Sequence, residues 1–114
     1  MTPETQIKRA ICHWLVYNKA LIFTHDSVGI YDAKKGIWRS NRDPYRRNGV
    51  SDILGIWRGK FLAIEVKTEK NYPSKEQKLF IADVIKHGGI AFIARSIDDV
   101  RRGLSVNTSE KDFE

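Results

Sequence analysis

Two apolar runs dominate the hydrophobic pattern of the chain, residues 50–57 and 61–66, and only Arg58, Gly59 and Lys60 separate them. Strand-length apolar runs broken by a glycine-containing turn predict a β-hairpin. With the turn centred on Arg58 and Gly59, pairing runs Trp57 to Lys60, then Ile56 to Phe61, and reaches Asp52 opposite Glu65. The two-residue period of a strand puts Lys67 on the face of Glu65, together with Leu54, Ile56, Phe61 and Ala63. Ile53, Trp57, Leu62, Ile64 and Val66 take the other face. Strands apolar on both faces are normally covered on both sides, so this hairpin is predicted to be the centre of a sheet.

Elsewhere the period changes. Thr2, Pro3 and Glu4 form a helix start, with an N-cap, a proline at the first helical position and an acid in the first turn. Ile7, Ala10, Ile11, Trp14 and Leu15 follow at helical spacing, giving an amphipathic helix to about residue 18. Residues 20–24 read as a short strand. Residues 28–31 and 37–39 read as a second hairpin turning at 33–36, short and polar at its tip, and 41–48 as an arginine-rich loop. After a loop over 68–73, Ser74 and Gln77 make a capping box that opens a helix ending at Gly88 and Gly89. Its apolar stripe is Phe80, Ile81, Val84 and Ile85, and Gln77 falls on the same stripe, facing the sheet near Lys67. Residues 90–94 form a further strand, parallel to that of Glu65 because a helix links them in a right-handed crossover. Ser96 to Asp99 cap a last helix to about Leu104. The expected fold is α/β, a central mixed sheet flanked by helices, with one domain over 1–104 and a disordered acidic tail over 105–114.

Composition narrows the partners. A net charge of +6 and a pI near 9.6 suit a polyanion. The charge is concentrated: Lys34, Lys35, Arg39, Arg42, Arg46 and Arg47 face a single acid, Asp43, within one stretch that leads directly to Asp52. A solvated basic face would look the same, but this position suits delivery of phosphate to the hairpin end. The single cysteine, Cys12, precludes an intramolecular disulfide and fits a reducing compartment. No stretch approaches the roughly 20 apolar residues of a membrane span, and the N-terminus has no signal-peptide pattern. A cytoplasmic location is expected.

The chemistry lies where Asp52 meets Glu65. Like charges directly opposed destabilise a sheet and raise one carboxylate's pKa. A hard divalent cation removes the conflict, since clustered carboxylate oxygens are ligands Mg²⁺ prefers. The bland alternative is an acid at a strand start and a solvated Glu-x-Lys end in chance register.

Asp52 followed by Glu65-Val66-Lys67 resembles the Asp…(Asp/Glu)-x-Lys motif of restriction-endonuclease-like nucleases, the PD-(D/E)xK superfamily. The longer series of Gly49-Val50-Ser51-Asp52-Ile53-Leu54-Gly55, Ile64-Glu65-Val66-Lys67, Ser74-x-x-Gln77 and Gly88-Gly89 is similar to its VRR-NUC branch, which includes small stand-alone phage and bacterial nucleases. The resemblance spans roughly residues 4 to 100 and implies a restriction-endonuclease-like core and a metal-dependent DNA endonuclease. It implies that Asp52, Glu65, the Val66 carbonyl and Glu4 hold Mg²⁺ or Mn²⁺. Asp52, Glu65, Lys67 and Gln77 are then the candidate catalytic residues, with Gln77 supporting Lys67 and a water. Lys34, Lys35, Arg39, Arg42, Arg46 and Arg47 are the candidate DNA contacts. A homodimer acting on branched DNA such as Holliday junctions is implied in the same way. Two other readings stay open: a basic DNA-binding module without catalysis, and a nuclease acting on RNA.

Overall fold

The computed structural model describes residues 1–25, 30–39 and 43–107. Val28 and Gly29 of the expected second hairpin, Arg42 of the basic loop, and 108–114 of the expected tail lie outside the described residues.

The chain begins with α1 (Pro3–Tyr17), capped by Thr2, whose Oγ1 accepts from the Thr5 N–H at 3.2 Å. Asn18 and the left-handed Lys19 (φ 68°) end the helix and turn the chain into β1 (Leu21–Thr24). β2 (Ile30–Asp32) and β3 (Ile37–Arg39) form a separate two-stranded antiparallel ribbon. β4 (Ile53–Trp57) and β5 (Lys60–Val66) are the two arms of the central hairpin. Then follow α2 (Lys75–Lys86), β6 (Ile90–Ala94) and α3 (Ile97–Asn107).

The main sheet has the order β1-β4-β5-β6. β4 pairs antiparallel with both β1 and β5, and β6 lies parallel to β5, as a helical crossover between them requires. The hairpin register is the expected one, with Ile53 opposite Ile64 and Trp57 opposite Lys60. Arg58 and Gly59 both have positive φ, 49° and 83°. That is the type I′ geometry whose twist matches the strands it joins. The Arg58 guanidinium, 4.9 Å from the Trp57 ring, covers the outer end of the hairpin. A Cβ at Gly55 would stand 2.0 Å from the Leu21 carbonyl oxygen, so only glycine lets β1 lie against β4 at this point.

The two faces of the sheet are covered unequally. Ile53, Trp57, Leu62, Ile64 and Val66 pack against Ile11 and Leu15 of α1 and Val100 and Leu104 of α3. Each aliphatic side chain fully buried here contributes roughly 1.5–3 kcal/mol relative to exposure. Among the described residues the opposite face is packed by one helix, α2, whose Val84 joins Leu54, Ala63 and Ala91, with Val50, Phe80 and Ile81 at the margin. One helix is too narrow to cover a four-stranded face. Ile56 and Phe61, near the turn, therefore remain 47% and 44% exposed, where the apolar pattern predicted burial. Ile85 also departs from its expected place on the buried stripe and is exposed.

α3 runs three residues past its expected end. Leu104 is buried and Ser105 Oγ donates to the Arg101 carbonyl at 2.7 Å, so residues 105–107 are helical and not part of a tail. Among the described residues, no helix is long and apolar enough to cross a membrane.

Candidate active site

The sheet brings the sequence-predicted acids together at the end of the hairpin far from its turn. β4 begins at Ile53, so Asp52 is one step beyond the ladder, where its backbone and side chain take over the strand's bonding. Its carbonyl accepts the His25 N–H at 2.8 Å, and its Oδ2 accepts the Val66 N–H at 3.0 Å. The carboxylate thereby replaces a ladder partner and is held against β5, with one oxygen committed to the backbone.

Glu65, the penultimate residue of β5, is 2% exposed. Its Oε1 accepts from Gln77 Nε2 at 2.9 Å and lies 3.8 Å from Lys67 Nζ. Its Oε2 is buried without a hydrogen-bond partner. Burial of an ionised carboxylate is unfavourable unless it is paired and fully hydrogen-bonded. Burial first, and then the neighbouring Asp52 carboxylate, push Glu65 up from 4.5 to about 8. The ammonium of Lys67, itself 15% exposed, acts in the opposite direction.

Two features of the loops hold this cluster. Lys67 continues the β5–β6 ladder through its N–H to the Ala94 carbonyl at 3.1 Å, which fixes where its side chain begins. Beyond it, Arg95 donates to the Asn71 carbonyl at 2.9 Å and lies over the Tyr72 ring, tying the 68–73 loop to the end of β6. Gln77 enters from the first turn of α2. The capping box is complete: Ser74 Oγ accepts the Gln77 N–H at 3.1 Å, and Gln77 Oε1 accepts the Ser74 N–H at 2.8 Å.

Glu4 is placed differently. Its position at the start of α1 is close enough for its charge to add to the upward push on Glu65. Yet among the described residues no three histidine, cysteine, aspartate or glutamate side chains are grouped as a metal cage. The assembled acids are the pair Asp52 and Glu65. Those two still suit a hard cation, because an orphaned buried carboxylate oxygen beside a second carboxylate is the conflict such an ion relieves.

The basic residues divide. Lys34 and Lys35 are exposed on the turn between β2 and β3, and Arg39 ends β3. Arg46 is half-buried. Arg47 is engaged with α2, its guanidinium 2.7 Å from Asp83 Oδ2 and 5.3 Å from the Phe80 ring centre. Arg42 lies outside the described residues.

Two residues with no assigned role in the sequence pattern prove to matter. Gly49 has φ +79°, and a Cβ there would lie 2.3–2.6 Å from backbone atoms of Glu76 and Gln77. The segment leading to Asp52 thus rests directly on the first turn of α2. Ser51, just before Asp52, is fully buried with its Oγ unpartnered. The glycine before the Val-Ser-Asp run is a legible signal; nothing in the sequence marks the serine.

The VRR-NUC domain model matches residues 34–98, more than half of the chain. The matched region contains Asp52, Glu65, Lys67 and Gln77 and excludes Glu4. No curated protein sequence matches the chain.

Proposed function

This chain belongs to the VRR-NUC family and is a nuclease of the PD-(D/E)xK type, and from that premise we propose that it is a DNA endonuclease dependent on Mg²⁺ or Mn²⁺, with Asp52, Glu65 and Lys67 as its reaction centre. The observation that carries the reading is the buried, unpartnered oxygen of Glu65 beside Asp52, with Lys67 Nζ 3.8 Å from the same carboxylate. No reason of stability calls for that arrangement.

Asp52 and Glu65 would hold the ion, with the Val66 carbonyl and Glu4 as further candidate ligands. When bound, a divalent ion lowers the pKa of a coordinated water and offsets charge on the scissile phosphate. The protein supplies the rest. Asp52 and Glu65 fix position, each with one oxygen already committed to a protein N–H. Lys67 offsets charge developing on the phosphate oxygens and orients the attacking water. Lys34, Lys35, Arg39, Arg42 and Arg46 attract the backbone of the nucleic acid.

The similarity to small stand-alone members extends the proposal to branched DNA and to a homodimer. One chain carries one such centre, and symmetric cutting of two strands calls for two centres related by a two-fold axis. The test is a panel of labelled linear duplex, four-way junction and RNA, each incubated with Mg²⁺, Mn²⁺ or EDTA. Metal-dependent cleavage of DNA, strongest on the junction, is expected. Binding without cleavage in every metal would leave only a DNA-binding module, and cleavage confined to RNA would reassign the substrate.

A further inference from the structure

Both ends of the Gln77 side-chain amide are engaged. Oε1 accepts the Ser74 N–H at 2.8 Å and Nε2 donates to Glu65 Oε1 at 2.9 Å. Turning the amide over would set two donors against each other at Ser74 and two acceptors against each other at Glu65. The Glu65 end is half-buried, so the turned amide would leave an unsatisfied oxygen there, while the exposed Ser74 end would lose its bond to the cap. The helix cap therefore determines which end of Gln77 meets the carboxylate. Gly49 docks on the same turn of α2, three residues before Asp52, with no room for a side chain.

We propose that the first turn of α2 is a positioning device for the reaction centre, in which the Ser74 N–H fixes the polarity of the Gln77 amide so that it donates to Glu65 and leaves Oε2 as that carboxylate's one free oxygen. This rests on the nuclease reading above. Ser74 and Gln77 are positioning residues here, because they act through Glu65. Capping by a serine ordinarily affects only helix stability, whereas this cap also sets the geometry of an acid in another element. Gln77 Nε2 occupies Oε1 and thereby keeps Glu65 from turning or binding through both oxygens.

The backbone N–H and the hydroxyl of Ser74 can be removed separately. Ser74→Ala deletes only the Oγ bond to Gln77 N–H. Ser74→Pro deletes that bond and the N–H together, and the φ of −70° at Ser74 is one a proline ring adopts. Both variants should lower Tm, by roughly 5 °C for loss of the cap. Ser74→Ala should keep kcat within about threefold of wild type. Ser74→Pro should lower kcat at least tenfold with KM for DNA unchanged, and Ser74→Asp, which restores both cap bonds, should match wild type. In the metal-free protein, one Gln77 side-chain amide proton should resonate downfield and exchange slowly in wild type and Ser74→Ala, and lose both properties in Ser74→Pro. Gln77→Glu covers the case of a proline variant that does not fold. It retains an acceptor for the Ser74 N–H but turns an oxygen toward Glu65, and should also lose at least tenfold in kcat. Equal kcat in Ser74→Ala and Ser74→Pro, or wild-type kcat in Gln77→Glu, would overturn the positioning role while leaving the nuclease reading intact. A wild-type protein that cleaves no nucleic acid in Mg²⁺ or Mn²⁺ would instead sink that reading, and this inference with it.

Discussion

Glu65→Gln should stabilise the metal-free protein at alkaline pH and leave it unchanged at acidic pH. Glutamine mimics the protonated carboxyl, and Glu65 takes up its proton near pH 8 in the folded protein but near 4.5 when unfolded. Between those values the folded state binds one proton more than the unfolded state. Stability of the wild type therefore falls as pH rises, by up to about 1.4 kcal/mol per pH unit from this group. The full interval sets a ceiling of about 5 kcal/mol; relaxation around the carboxylate and the nearby Lys67 ammonium reduce it, so we expect a difference of about 2–4 kcal/mol between variant and wild type at pH 8. At pH 5 the difference should have shrunk to less than about 1 kcal/mol, and it should vanish only below about pH 4. Urea denaturation in EDTA at pH 5, 6, 7 and 8 reads this directly, as a midpoint gap that opens to about 1–2 M at the alkaline end for a domain with an ordinary urea dependence. Millimolar Mn²⁺ should reverse the order, because ligand binding to the native state stabilises it and only the wild type keeps the anionic ligand. Parallel pH profiles for the two proteins in EDTA would refute the reasoning, since they would mean Glu65 is already ionised and compensated without metal.

Three further outcomes follow from particular contacts. Asp52 and Glu65 each have one oxygen engaged by an N–H, so each offers one to a cation; calorimetric titration should show Mn²⁺ binding at least tenfold more tightly than Ca²⁺, which favours more oxygens and two-oxygen carboxylates, and the opposite order would count against the site as drawn. Neutralising Arg42 and Arg46 to glutamine should reduce the slope of log affinity for DNA against log salt by up to about two, roughly 0.9 per lost phosphate contact. Adding Arg47→Gln should reduce it by less than a further unit, because that guanidinium already holds Asp83; an unchanged slope would mean the loop does not meet the nucleic acid. Gly55→Ala, which drives a methyl group into the Leu21 carbonyl, should destabilise the fold by more than about 2 kcal/mol through loss of β1 pairing, and a chemical denaturation midpoint equal to wild type would contradict the close approach of β1 and β4.

What the sequence made legible was local or periodic. The two-residue turn sets the register of the hairpin, so the opposition of Asp52 and Glu65 could be counted out from Arg58 and Gly59. Capping boxes and helical spacing likewise put Gln77 on the face of α2 that meets Glu65. The misses have a common physical origin in packing between elements distant in the chain. The exposure of Ile56, Phe61 and Ile85 depends on how far one helix reaches across a four-stranded face, which no periodicity encodes. The commitment of Arg47 to Asp83 and Phe80 depends on where the loop lands on α2, and from sequence it was indistinguishable from its basic neighbours. Gly49 appeared in the motif without a reason; the reason is a backbone in another element less than 3 Å from where its Cβ would be.

The central claim is that Asp52, Glu65 and Lys67 act together on a phosphodiester. Single-turnover cleavage of the preferred DNA by Asp52→Ala, Glu65→Ala, Lys67→Ala and the Asp52→Ala/Glu65→Ala double variant tests it, with DNA affinity measured alongside. Each single variant should lose at least about a thousandfold in rate with affinity within a few-fold of wild type, and the double variant should be little worse than either single, as groups acting as a unit are strongly non-additive. A single variant that cleaves within tenfold of the wild-type rate, or a double variant whose loss is the product of the two singles, would contradict the account.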